Sequence, residues 1–186
     1  VYNGLEHAPL ELTNRDVDHA SVEVNAEGTL ATTEKGGSVT VSVRLTSEPE
    51  SDVTMLMSVS DDSEAEVSPS EIVFTSSNWY EAQAITVTGR DDDESDGDKT
   101  YKLVFSPLST LDPNYGGLIP EPIEMRNIDN DKPGIDISPM PLNCEEGGAL
   151  KVSVQLRTMP QQTVTLRPAC MESEGRETDE AFIAGE

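Results

Sequence analysis

Val39, Val41, Val43 and Leu45 alternate with Ser38, Thr40, Ser42 and Arg44. A period of two puts the apolar residues on one face and the polar ones on the other, the pattern of a half-buried strand. Val152, Val154 and Leu156 repeat it. Further strands are predicted at 22–24, 53–59, 71–75, 84–88, 100–106 and 122–127, giving about seven in the segment 20–132. Between them stand turn residues: Glu48-Pro49, Ser68-Pro69, Asp112-Pro113-Asn114 and paired glycines. Nothing has the 3.6-residue period of an amphipathic helix, so the expected fold is all-β, an immunoglobulin-like antiparallel β-sandwich of two sheets. Trp79, the single tryptophan, is expected to anchor the core or cover one end of the sandwich.

The chain also repeats itself. Tyr2, Gly4, Leu5, Pro9, Glu11, Asn14, Asp16 and Asp18 meet Tyr115, Gly117, Leu118, Pro122, Glu124, Asn127, Asp129 and Asp131 without a gap, at an offset of 113. Residues 33–54 meet 144–165 at an offset of 111, so a two-residue gap reconciles the matches. A period of about 110 residues is too long for a solenoid and right for one small domain per repeat. Residues 1–19 are therefore expected to be the C-terminal tail of one module, 20–132 a complete module and 133–186 the N-terminal half of a third. Lys132-Pro133-Gly134 marks a joint with no long Gly/Ser linker, so neighbouring modules of the chain are the first expected partners, held close and semi-rigid.

Charge narrows the function. The chain carries 36 acidic residues against 12 Lys and Arg, a net charge of −24, which repels nucleic acids and anionic membrane surfaces. No apolar run approaches the roughly 20 residues of a membrane helix, so no direct membrane insertion is expected. Asp91, Asp92, Asp93, Glu94, Asp96 and Asp98 crowd one loop between two strands. Carboxylates a few ångströms apart repel by about 1 kcal/mol or more per pair. Two readings are open: a solvated acidic loop, or a loop gathered by a hard cation, for which calcium, with its six to eight oxygen ligands, is the natural choice. Asp129, Asn130 and Asp131, with their counterparts Asp16 and Asp18, stand near module joints, and Glu34 before Gly36-Gly37 recurs as Glu145. An EF-hand is excluded. Asp92, Glu94, Asp96 and Gly97 fit its first, third, fifth and sixth positions, but the twelfth is Leu103, and no helix flanks the loop.

The E-x-G-G at Glu34 to Gly37, which recurs from Glu145, the DDxxxDGDxxY from Asp91 to Tyr101 and the closing N-x-D-N-D from Asn127 to Asp131 resemble the Calx-beta type module. Modules of this type occur in large repetitive surface proteins and in the calcium-binding domains of sodium/calcium exchangers. The resemblance covers residues 20–132 and part of each flank. It implies a seven-stranded sandwich with calcium held by Glu34, Asp91, Asp92, Asp96, Asp129 and Asp131. Asp93, Asp98 and Asn130 are secondary candidates for that set, and Asp61 or Asp62 stands in for a further acid. One departure is that residues 14–18 read Asn-Arg-Asp-Val-Asp, without the second Asn of the motif.

No catalytic constellation accompanies these acids. Four Tyr, three Phe and one Trp leave little for a sugar-binding cleft between paired carboxylates. His7 and His19 have no nucleophile motif, and the glycine pairs at 36–37 and 147–148 precede neither Lys-Ser/Thr nor a helix. The chain is expected not to be an enzyme. Cys144 and Cys170 either form a disulfide or stay free; Cys144 aligns with Thr33, so the fold does not require the bond. No Asn-x-Ser/Thr acceptor occurs. Two functions are carried forward. One is a structural or adhesive repeat segment of a large extracellular or cell-surface protein, its joints stiffened by calcium and other surface proteins as possible partners. The other is a calcium-sensing regulatory domain attached to a membrane protein.

Overall fold

The computed structural model describes residues 9–15, 17–139 and 149–167. Among these, every regular element is a strand: β1 (Val22–Ala26), β2 (Ala31–Thr33), β3 (Ser38–Leu45), β4 (Val53–Val59), β5 (Ala65–Ser68), β6 (Glu71–Phe74), β7 (Gln83–Gly89), β8 (Lys99–Phe105), β9 (Ile123–Ile128), β10 (Ile135–Ser138) and β11 (Ser153–Leu156). By contacts the chain divides into two units. The first comprises Val1–Asp92 and Asp96–Asn130, the second Asp93–Ser95 and Asp131–Glu186.

The first unit is an immunoglobulin-like β-sandwich. Its four-stranded sheet runs β1-β3-β7-β5 and its five-stranded sheet β2-β9-β8-β4-β6. All pairings are antiparallel except β2 with β9, which is parallel. The predicted strands are present, and β2 and β5 are additions the alternation did not show, each three or four residues long. They arise because the chain changes sheets twice: β1 and β2 are successive parts of one edge on opposite sheets, as are β5 and β6. Counted that way, nine short strands make seven runs.

The core lies where the inward faces meet. Val39, Val41, Val43 and Leu45 from β3 and Ile85 and Val87 from β7 face Met55 and Met57 from β4, Leu103 and Phe105 from β8 and Met125 from β9, all buried. Each such side chain contributes roughly 1.5–3 kcal/mol relative to exposure. Trp79 packs partly buried against this core and meets Tyr80 edge-on, ring centroids 5.7 Å apart. At the same end Tyr115, almost fully buried, donates its hydroxyl to the Ser47 carbonyl at 2.8 Å and accepts from the Ser47 amide at 3.0 Å. The other end closes differently. Continuing β2 and β9 inward by the period of two brings Thr32, Glu34 and Asn127 to the core's edge, all buried.

In the second unit β10 pairs with β11 from Ile135↔Leu156 to Ser138↔Ser153. This register equals that of β1 with β3, Val22↔Leu45 onward, at the offsets of 113 and 111 found in the sequence. The Arg157 amide bonds the Gly134 carbonyl as the Thr46 amide bonds that of Ser21. Cys144, Glu145, Cys170, Asp16 and the opening tyrosine lie outside the described residues.

Candidate metal centre

Four turns of chain converge at the polar end of the first unit: residues after β2, after β4, between β7 and β8, and after β9. Glu34 follows β2 on its inward side and is 3% exposed. Its Oε2 accepts from the Asn130 amide N–H at 2.9 Å and from Asn130 Nδ2 at 3.2 Å. Burial pushes the Glu34 carboxyl above the usual carboxylate range; these hydrogen bonds oppose the shift, and the charges of Asp129 and Asp92 add to it. Asn130 Nδ2 also donates to Asp91 Oδ1 at 3.0 Å. An oxygen of Glu34 and one of Asp91 thus lie within 4.8 Å of each other, with a partly positive amide group bonded to both.

The other predicted ligands take different places. Asp129 Oδ2 accepts from the Gly97 amide at 2.7 Å, a contact that depends on the Asp-rich loop turning at Gly97 with φ of +80°, where a side chain would be strained. Asp98 Oδ1 accepts from the Asp129 amide at 3.2 Å, and its Oδ2 pairs with Arg126 at 3.2 Å. Asp96, 18% exposed, pairs with Lys99 at 2.8 Å. Asp92 is exposed, and its charge is felt at Glu34 and Glu64. Asp61 is turned onto its own loop, accepting from the Ser63 amide at 3.1 Å and hydroxyl at 2.5 Å, which lowers its pKa; Asp62 is exposed. Asp93 and Asp131 belong to the second unit. There the Asp93 carbonyl accepts from the Met159 amide at 2.7 Å, and the Asp131 carbonyl from the Ser95 hydroxyl at 3.1 Å.

Sequence reasoning missed Glu64. It is 7% exposed, and burial raises its carboxyl pKa, with the charges of Asp61, Asp96 and Asp92 adding to the shift and a hydrogen bond from Asn127 opposing it. Its neighbours Asp61 and Asp62 were reached through the family resemblance, as stand-ins for a further acid; the signal that finds Glu64 is its place beside Ala65, the first inward residue of β5. The donor set is oxygen throughout, from carboxylates on separate turns. That chemistry suits calcium, and lacks the nitrogen or sulfur that zinc prefers. The Asn130 amide donating to two carboxylates occupies the kind of position a cation would take.

No family profile and no curated protein sequence matches the chain. Several solved structures resemble it in fold, two of them as follows. One is SSP-19, an MSP-domain-like protein of Caenorhabditis elegans: 10% identity, TM-score 0.36, covering 54% of this chain and 92% of that one. The other is a type I cohesin–dockerin complex from Clostridium thermocellum: 13% identity, TM-score 0.38, covering 62% of this chain and 99% of that one. The likeness is one of β-sandwich fold.

Proposed function

We propose that the chain is a non-catalytic structural or adhesive segment of a larger extracellular or cell-surface protein, built from tandem modules of the Calx-beta type. Calcium is held at the acidic end and stiffens the joint to the following module. What supports this most is the Asn130 amide donating to both Glu34 and Asp91: buried and exposed carboxylates from distant parts of the chain are brought within one cation's reach. Glu34, Asp91, Asp92 and Asp129 would hold the ion together with Glu64, Asp96 would join them by leaving Lys99, and Asp131 keeps the place the resemblance gives it. Bound calcium supplies the positive charge that relieves their mutual repulsion.

The tandem reading draws on the shared register of β1 with β3 and β10 with β11. With it, 20–132 is one module and 133 onward begins the next. The acidic end is also the end from which β9 leads toward residue 131.

Calorimetric titration of the chain with calcium, with magnesium as control, tests the proposal. Dissociation constants of about 10⁻⁴ to 10⁻³ M fit a structural role where calcium is millimolar. Binding at roughly 10⁻⁷ to 10⁻⁵ M would favour the sensor of an attached membrane protein instead. No heat beyond that of magnesium would leave a solvated acidic loop and defeat the proposal.

A further inference from the structure

Asn127 is a polar residue at a core position. It lies on the inward face of β9, two residues after Met125, and is 1% exposed. Its Nδ2 donates to Glu64 Oε2 at 3.3 Å and to the Arg90 carbonyl at 3.0 Å. Its Oδ1 accepts from the Thr32 hydroxyl at 3.0 Å, and that hydroxyl meets the Tyr101 hydroxyl at 3.0 Å. The amide has one orientation that works. Nδ2 faces a carboxylate and a carbonyl, neither of which donates, while Oδ1 faces a hydroxyl; flipped, its oxygen would oppose two acceptors. An aspartate here would set a carboxylate against Glu64, and an apolar residue would strand both acceptors.

We infer that Asn127 is the positioning residue of the acidic end. It holds the Glu64 carboxylate and the first residues of the Asp-rich loop where the ligands are needed, an inference that rests on the calcium reading for what those residues do. Arg90 immediately precedes Asp91. Its amide donates to the Glu64 carbonyl at 2.9 Å and its carbonyl accepts from Asn127, so the loop's entry is pinned on both sides. Two and three residues beyond Asn127 come Asp129 and Asn130, the latter bonded to Glu34 and Asp91. One side chain therefore ties together the turns after β4, β7 and β9.

Gly89 is shaped around it. A Cβ there would lie 2.4 Å from Asn127 Oδ1 and 2.4 Å from the Thr33 carbonyl oxygen, far inside contact distance. The strand before the loop thus gives up a side chain to let the Asn127 amide in. Asn127 recurs as Asn14 in the internal match.

The test uses the whole chain, with Asn127→Leu as the main variant and Tyr115→Phe as a control that loses hydrogen bonds at the opposite end. Amide hydrogen exchange is read in chelator and calcium affinity by calorimetry. Asn127→Leu is expected to speed exchange at 90–92 at least tenfold more than in β3, and to weaken calcium binding at least tenfold. Tyr115→Phe should leave calcium affinity at the wild-type value and should not speed exchange at 90–92 more than in β3. Wild-type affinity and unchanged exchange at 90–92 in Asn127→Leu would overturn the inference, as would equal weakening by Tyr115→Phe. Should Asn127→Leu not fold, Thr32→Val removes the donor to Oδ1 together with that hydroxyl's contact to Tyr101, and Tyr101→Phe removes the latter contact alone; about threefold weaker binding in Thr32→Val than in Tyr101→Phe supports the inference and equal binding overturns it. If the wild type binds no calcium, the calcium reading fails by itself. Exchange at 90–92 then decides alone whether Asn127 positions the loop.

Discussion

Replacing Glu34 by Gln should move stability in opposite directions with and without calcium. Without it, the buried Glu34 carboxylate lies within 4.8 Å of that of Asp91 and feels the charges of Asp129 and Asp92; a pair at that spacing repels by about 3 kcal/mol at an effective dielectric of 20, and by less where, as at Asp91, the partner is exposed to solvent. Against this, two hydrogen bonds from Asn130 change from charge-assisted to neutral, losing about 1 kcal/mol each. The net is up to about 1 kcal/mol in favour of the variant, or roughly 4 °C in midpoint for a domain near 100 residues. With calcium at a hundred times its dissociation constant, the wild type gains about 2.7 kcal/mol by linkage, roughly 10 °C, and the variant loses most of that gain. Thermal unfolding in chelator and in saturating calcium reads both numbers. A variant less stable than wild type in chelator, with the calcium increment intact, would refute the assignment of Glu34 to a repelled, cation-seeking cluster.

Gly89→Ala should destabilise the first unit by about 1–3 kcal/mol or more, because the neighbours at 2.4 Å include backbone of Thr33 that cannot swing away; urea unfolding with a wild-type midpoint would contradict this. In chelator, Glu34 and Glu64 have raised pKa values, so the folded state holds their protons more tightly than the unfolded one. Stability should therefore rise as pH falls from neutrality through those raised values toward 4.5. Asp112 and Asp61 are lowered from 3.8 by hydrogen bonds, so their contribution disappears below that, and a midpoint that is flat from neutrality down to pH 4.5 would count against the burial of the two glutamates. Calcium affinity should weaken over the same interval, since the ion must displace those protons. Tyr115→Phe removes the hydroxyl that bonds the Ser47 amide and carbonyl and should cost about 1–3 kcal/mol, measured equally in chelator and in calcium.

Much of the sandwich was legible because strands announce themselves locally. β3 reads apolar-polar along eight residues, and its buried positions Val39, Val41, Val43 and Leu45 are the ones the alternation marks. Short strands are different. β2 and β5 have three and four residues, too few for a period to register, and what makes them strands is a neighbouring edge with free backbone groups. The acidic site divides in the same way. Asp91, Asp92 and Asp96 stand out because they cluster in sequence, and Glu34 and Asp129 were reached through motifs. Glu64 and the role of Asn127 were not, since each acquires its meaning from residues more than 25 positions away.

The sequence by itself determined the all-β class, the 110-residue repeat and the crowding of carboxylates in one loop, because alternation, self-similarity and charge are properties of neighbours along a chain. Only the tertiary structure decided which carboxylates share a site. Burial and hydrogen bonding are set by what packs alongside, so Asp96 next to Lys99 became an ion pair, while Glu34 and Asp91, 57 residues apart in sequence, came to share the amide of Asn130.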